Sequence, residues 1–79
     1  MNTSVMVEAK ARSVKTTKTD LIVLLGDGRE VKVPLAWFPR LFHATPVQRS
    51  SYRLIGNGIG IHWPMLDEDL SVEGLLAVR

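Results

Sequence analysis

Five consecutive apolar residues, Leu21-Ile22-Val23-Leu24-Leu25, run directly into Gly26-Asp27-Gly28, and this junction restricts the folds open to the chain more than any other feature. The run is strand-sized, and glycine and aspartate tolerate the positive φ of a tight hairpin, so the segment is read as a strand that turns back on itself. Successive side chains of a strand point to opposite faces, which sends Val23 to one side and Ile22 and Leu24 to the other. A strand apolar on both faces belongs in the middle of a sheet. After the hairpin, Val31 and Val33 alternate with Glu30 and Lys32 until Pro34, which has no N–H to donate, ends the pairing. Before it, Val5, Val7, Ala9 and Ala11 alternate with Met6, Glu8, Lys10 and Arg12, giving a half-exposed first strand, and Ser13 to Asp20 is read as strand end and turn. The three strands form an antiparallel meander.

The period then changes. Leu35, Phe38, Leu41 and Phe42 lie at helical spacing, with Pro39 near the start where it does least harm, so Leu35 to His43 is expected to be a short or distorted helix. Thr45-Pro46-Val47-Gln48 is a capping box with proline at the first helical position. From it a helix is expected to run to about Ile55, with Val47, Leu54 and Ile55 inward, Arg49 and Arg53 on one exposed face and Gly56 as terminator. A fourth strand, Ile59 to Trp63, should place Ile59, Ile61 and Trp63 on one face and Gly58, Gly60 and His62 on the other, stopped by Pro64. After the acidic turn at Asp67-Glu68-Asp69, Ser71 can cap a last short helix in which Leu75 and Leu76 pack down. The expected fold is α/β in the mixed α+β sense: a three-stranded antiparallel meander, two short helices, a fourth strand and a short C-terminal helix. Met1 to Ser4 is read as a disordered N-terminus and residues 5–79 as a single small domain.

With 79 residues and no cysteine, the chain is near the lower limit at which one apolar core holds without disulfide or thiolate-metal support. The 46% hydrophobic content is that of a folded protein rather than a disordered one. No apolar run approaches the roughly 18 residues of a membrane span; with no secretory signal pattern and no cysteine, a cytoplasmic protein is expected. The net charge of +2 is unevenly laid out, with a basic front (Lys10, Arg12, Lys15 and Lys18 against Glu8) and an acidic tail (Asp67, Glu68, Asp69 and Glu73 against Arg79). Neither is a block strong enough to announce nucleic acid, and solvated faces are the plainer reading.

The segments Trp37-Phe38-Pro39-Arg40-Leu41, Ala44-Thr45-Pro46-Val47-Gln48-Arg49, Tyr52-Arg53-Leu54-Ile55-Gly56, Gly60-Ile61-His62-Trp63-Pro64 and Asp67-Glu68-Asp69-Leu70-Ser71-Val72-Glu73-Gly74-Leu75-Leu76 resemble, in order and spacing, the bacterial family called domain of unknown function 2442. The resemblance covers roughly residues 5 to 77. It implies a small α/β fold like that of the N-terminal domain of the family's nitrifying-bacterium representative, and it brings no enzymatic activity. Members often resemble the second gene of a two-gene module beside domain of unknown function 4160, which implies a toxin-like partner. Some longer relatives carry a helix-turn-helix region after this domain; this sequence has no counterpart to it. Family membership is associational evidence for a role, not a mechanism.

Several residues could carry chemistry. His62 with Asp67 and Asp69 can be drawn as a metal or acid–base group, but the ligand set is incomplete for zinc and lacks the spacing of a calcium loop, so capping of the last helix is the better account. His43 is read as a surface or cap residue. Gly58-Ile59-Gly60 lacks the third glycine and helix start of a dinucleotide loop; its glycines instead let another backbone, or a ring such as Trp37, lie close. Trp63 and Phe38 are assigned to the core. Arg40, Arg49 and Arg53 with Trp37 and Tyr52 combine charge and aromatics as single-strand binders do, and a nucleic-acid-binding regulator is the second functional reading. The first is a protein-binding module, either antitoxin-like or regulatory, or a homo-oligomer. Its contact residues are Met6, Ile22 and Leu24 on the second face of the meander, with Trp37 and Arg40, because helices on one face of a sheet cannot cover both. No catalytic residue, metal ligand or cofactor is assigned; an enzyme would need a nucleophile, base and orienting group at recognisable spacing.

Overall fold

The computed structural model describes residues 9–77. The expected loose end at 1–4, the expected strand residues Val5 to Glu8 and the candidate contact Met6 lie outside them. Strands β1 (Ala11–Thr16), β2 (Asp20–Leu25) and β3 (Glu30–Pro34) form an antiparallel sheet in the order β1-β2-β3. The apolar run is therefore the central strand, as the hairpin logic requires. The turn after β2 is closed by hydrogen bonds from Gly28 N–H to the Leu25 carbonyl (3.0 Å) and from Leu25 N–H to the Arg29 carbonyl (2.8 Å). Asp27 accepts from both the Arg29 amide (3.1 Å) and its guanidinium (2.8 Å). These bonds, the backbone one foremost, hold the Asp27 carboxyl below its ordinary value of 3.8.

The first strand differs from expectation. It reaches through the polar segment to Thr16 and carries a bulge, since Ala11 pairs with Leu25 and Ser13 already pairs with Leu24. The extra residue, Arg12, resets the alternation, so that Ala11 and Val14 are both buried while Arg12 and Ser13 are both exposed. The charged side chains of Arg12 and Lys15 stay in water and the strand continues.

Past Pro34 the chain makes a 3-10 turn (Leu35–Trp37) and then α1 (Pro39–Phe42), the distorted helix expected there. Next is α2 (Pro46–Ser50), with both halves of the capping box formed: the Thr45 hydroxyl accepts from Gln48 N–H (3.1 Å), and the Gln48 side chain accepts from Thr45 N–H (2.9 Å). α2 stops at Ser50 and does not continue to Ile55. Two causes are visible. The Ser50 and Ser51 hydroxyls both donate to the Val47 carbonyl (3.0 and 2.8 Å), competing with continued helical bonding. Beyond them Tyr52 and Leu54 are half-buried while Arg53 and Ile55 are exposed, which is strand period.

That period belongs to β4 (Arg53–Ile55), the edge of a second antiparallel sheet in the order β4-β5-β6. A turn at Gly56–Gly58, with positive φ at Gly56, Asn57 and Gly58, leads to β5 (Gly60–Trp63). A second turn over Pro64 to Asp67 leads to β6 (Glu68–Ser71), which takes in Glu68 and Asp69 of the expected acidic turn and the expected cap Ser71, and then to α3 (Val72–Ala77). The Ser71 hydroxyl accepts from Gly74 N–H (2.9 Å), which is the cap expected there. The α+β architecture is thus as expected, with β4 and β6 as additional strands.

One core serves both sheets. Leu21, Val23 and Leu25 of β2, Ile61 and Trp63 of β5, Leu35, Leu41 and Val72 are essentially inaccessible to solvent. Phe38 packs against this core at half burial. The buried indole N–H of Trp63 donates to the Arg49 carbonyl (2.9 Å), so its polar atom is satisfied where its ring is deepest. Val47, Ile55 and Leu76 were expected inside but are 67%, 45% and 42% exposed, since the short α2 buries none of its residues, Ile55 is on an edge strand and Leu75 takes the inward position on α3. Ile59, expected on the face of Ile61 and Trp63, is 57% exposed because β5 begins only at Gly60.

Candidate functional site

The outer face of the first sheet is built from residue pairs across three strands. Ile22 lies opposite Lys15 on one side and Lys32 on the other, and Leu24 lies between Ser13 and Glu30. Both apolar residues are half-buried, and Lys15, Lys32, Ser13 and Glu30 are exposed. This follows from the sequence: a period of two drives Leu21, Val23 and Leu25 into the core and leaves the intervening residues no choice but the far side. The long aliphatic stems of the lysines give Ile22 lateral cover while their charges stay in water. The result is two aliphatic residues side by side at the centre of the sheet, with charge along their rims.

Trp37 and Arg40 sit after β3. Trp37, the last residue of the 3-10 turn, is 47% exposed. Arg40 donates to the Asp67 carbonyl and lies 3.8 Å from the Glu68 carboxylate. It thereby ties α1 to the turn that carries Met65, itself 58% exposed. Trp37 does not fill the space above the glycines of the second sheet. Backbone takes that space at Gly58, where a Cβ would stand 2.4 Å from the Ala11 carbonyl oxygen, and a side chain takes it at Gly60, where a Cβ would meet Ile55 at 3.0 Å.

The arginines expected on one helical face are separated. The Arg49 guanidinium donates to the carbonyls of Leu41 (2.9 Å) and Phe42 (2.7 Å), satisfying the end of α1, while Arg53 is on β4. The Tyr52 hydroxyl is also engaged, accepting from Val14 N–H at 3.0 Å. Arg53, His62 and Asp69 form a row across the outer face of the second sheet. In it His62 Nδ1 is 2.5 Å from Asp69 Oδ1. Asp67 has a positive φ of 53° in the preceding turn, and among the described residues no group of three His, Asp or Glu side chains is placed to hold a metal ion. His43 is exposed at the end of α1 with the Phe42 ring edge-on to it at 5.2 Å.

One feature escaped sequence reasoning, an apolar groove of about 580 Å³ lined by Ala9, Ile59, Val72, Leu76 and Ala77 with Ser71 and Glu73. Its signal would have been the start of β5 at Gly60, which turns Ile59 outward, and periodicity alone does not fix a strand's first residue.

No described helix is long and apolar enough to cross a membrane. No curated protein matches the chain. A crystal structure of a protein of unknown function from Rhodospirillum rubrum is similar with a TM-score of 0.76 and 32% identity, over 89% of this chain and 87% of that one. The solution NMR structure of an uncharacterised protein from Chromobacterium violaceum is similar with a TM-score of 0.74 and 26% identity, over 94% of this chain and 72% of that one. The match to the family described as "Protein of unknown function (DUF2442)" runs over residues 11–79, and the chain belongs to that family.

Proposed function

We propose that the chain is a small protein-binding module, antitoxin-like or regulatory in role, that acts in the cytoplasm by covering a working surface of its partner with the outer face of its first sheet. The observation that carries this reading is the position of Ile22 and Leu24, half-buried at the centre of a sheet whose opposite face is already packed into the core. A small apolar centre within a polar rim is the anatomy of a protein interface, and Trp37 is an exposed aromatic of the kind that anchors one. Lys15 and Lys32 on either side of Ile22 favour a partner that presents carboxylates around an apolar contact. The resemblance read from the sequence names a candidate, a neighbouring product of the domain of unknown function 4160 type. The mechanism is steric and needs no catalytic group. The His62–Asp69 pair supplies a base and an orienting carboxylate, which is only part of a catalytic set.

A nucleic-acid role is the weaker reading. Two of its three arginines already donate to backbone carbonyls, whereas phosphate neutralisation needs them free.

Co-expression with a partner-family product encoded beside this chain should yield a co-eluting complex. Ile22→Glu, which would stand between Lys15 and Lys32, and Leu24→Lys, which would stand opposite Glu30, should each weaken it about tenfold or more, as loss of a central contact does. The thermal midpoint of the free protein should be little changed, because neither substitution sets like charges opposite each other. Absence of a complex, or a complex indifferent to both substitutions, overturns the proposal.

A further inference from the structure

The two edges of the first sheet are not alike. On β1 the outward N–H of Val14 is taken by the Tyr52 hydroxyl, and Pro46, Arg49 and Ser50 of α2 line one wall of a groove whose other wall is Val14 to Lys18. Among the described residues β3 is the other edge. Leu25 N–H donates to the Arg29 carbonyl, which fixes the phase of the β2–β3 ladder. Alternation then assigns Val31 and Val33 to bonding with β2 and turns the N–H and C=O of Glu30 and Lys32 outward. Glu30 and Lys32 are both exposed, and they have opposite charge two residues apart.

We infer that this edge is self-complementary and that two copies of the chain join through it, β3 against β3 in antiparallel sense, with the two-fold axis beside Val31. In that register Glu30 of each copy stands opposite Lys32 of the other, each such pair exchanges two backbone hydrogen bonds, and Val31 meets Val31 between them. Both charge pairs are then attractive and directly opposed, the arrangement that stabilises a strand pair. The adjacent registers with outward groups in phase are worse. Centring on Lys32 opposes lysine to lysine and brings Pro34, which has no N–H, opposite Glu30, while centring on Glu30 opposes two carboxylates. An edge lysine ordinarily blocks strand addition; here it blocks strands that do not offer a carboxylate at the facing position, which makes the edge selective for its own copy.

Pairing would join the two meanders into one six-stranded sheet. Glu30 and Lys32 share the outer face with Leu24 and Ile22, their neighbours on β2, so each row would read Leu24, Glu30, Lys32, Ile22 across the junction. The inference goes beyond the partner reading above and does not depend on it: a strict monomer would still offer Ile22 and Leu24 to another protein.

The test is light scattering coupled to gel filtration, with a run at about 100 μM, well above a micromolar dissociation constant, to set the mass and a dilution series down to about 1 μM to resolve tenfold changes in affinity. Circular dichroism verifies that each variant is folded. The wild-type chain should elute at twice the monomer mass. Lys32→Glu reverses both junction pairs and should weaken the dimer roughly tenfold, the factor that corresponds to 1.4 kcal/mol. The double exchange Glu30→Lys with Lys32→Glu should restore it, an outcome that general surface effects do not produce. Lys32→Pro removes an N–H that the β2 ladder does not use and should leave only monomer. A monomeric wild-type protein at this concentration overturns the inference, and so does a dimer unmoved by Lys32→Glu or one that the double exchange fails to restore.

Discussion

At Gly58 the backbone has a φ of +98°, and the space a Cβ would occupy is held by the Ala11 carbonyl oxygen at 2.4 Å and its amide nitrogen at 3.0 Å. Conformation and contact therefore both demand glycine, for separate reasons: an L-residue is strained at this φ, and the obstacle is backbone rather than a movable side chain. Gly58→Ala should destabilise the protein by more than about 2 kcal/mol, read as a lower denaturant midpoint at unchanged slope. Gly28, also at positive φ, has nothing within 4 Å of its would-be Cβ, so Gly28→Ala should cost only its backbone strain, about 1 kcal/mol. A reversal of that order would show that the Ala11 contact is not restrictive.

Among the elements, α2 tests how far local signals decide structure. Its start was legible in four residues because capping is local chemistry, with Thr45 and Gln48 satisfying each other's backbone groups. Thr45→Ala should cost about 1 kcal/mol, a fall in thermal midpoint of roughly 4–8 °C for a domain of this size. The end of α2 was legible only in part. Tyr52, Leu54 and Ile55 suit a helix face as well as a strand, and the decision is made by β5, whose Ile61 and His62 pair with Leu54 and Arg53. β6 was hidden for a related reason. Asp67, Glu68 and Asp69 look like a turn by composition, yet Glu68 and Leu70 stand half-buried opposite Trp63 and Ile61, so pairing to a buried strand overrode local preference. By contrast the β2–β3 hairpin, with its face alternation and its bounding Pro34, could be read in advance because every signal lay within the segment itself. The candidate site inherits this split. Ile22 and Leu24 were placed by period alone, whereas the engagement of Arg49 with the end of α1 depends on tertiary placement that the sequence does not print.

At the scale of the whole molecule, two antiparallel sheets drawn from successive halves of the chain share a single core. Trp63 lies at their junction, its ring 6.4 Å from that of Tyr52 and its N–H on the Arg49 carbonyl. The Tyr52 hydroxyl reaches across to Val14 N–H. Tyr52→Phe keeps the ring and removes only the acceptor, leaving a strand-edge N–H unsatisfied at a cost of about 1–2 kcal/mol. Hydrogen exchange should then accelerate at Val14 while Val23, bonded toward β3, is slowed or speeded only with global unfolding. Equal acceleration at both amides would mean that the hydroxyl serves the fold as a whole rather than the β1 edge.

Because β1 is gripped at Ala11 by Gly58 and at Val14 by Tyr52, the opening strand is completed by contacts from residues that leave the ribosome about forty positions later. A nascent chain that has emerged only through the meander has its central strand and hairpin but neither clamp on β1 nor the Trp63 wall of the core. Synthesis therefore exposes an unfinished apolar sheet for the interval in which the second half is made, and the moment of closure is set by the arrival of the Tyr52 to Trp63 segment.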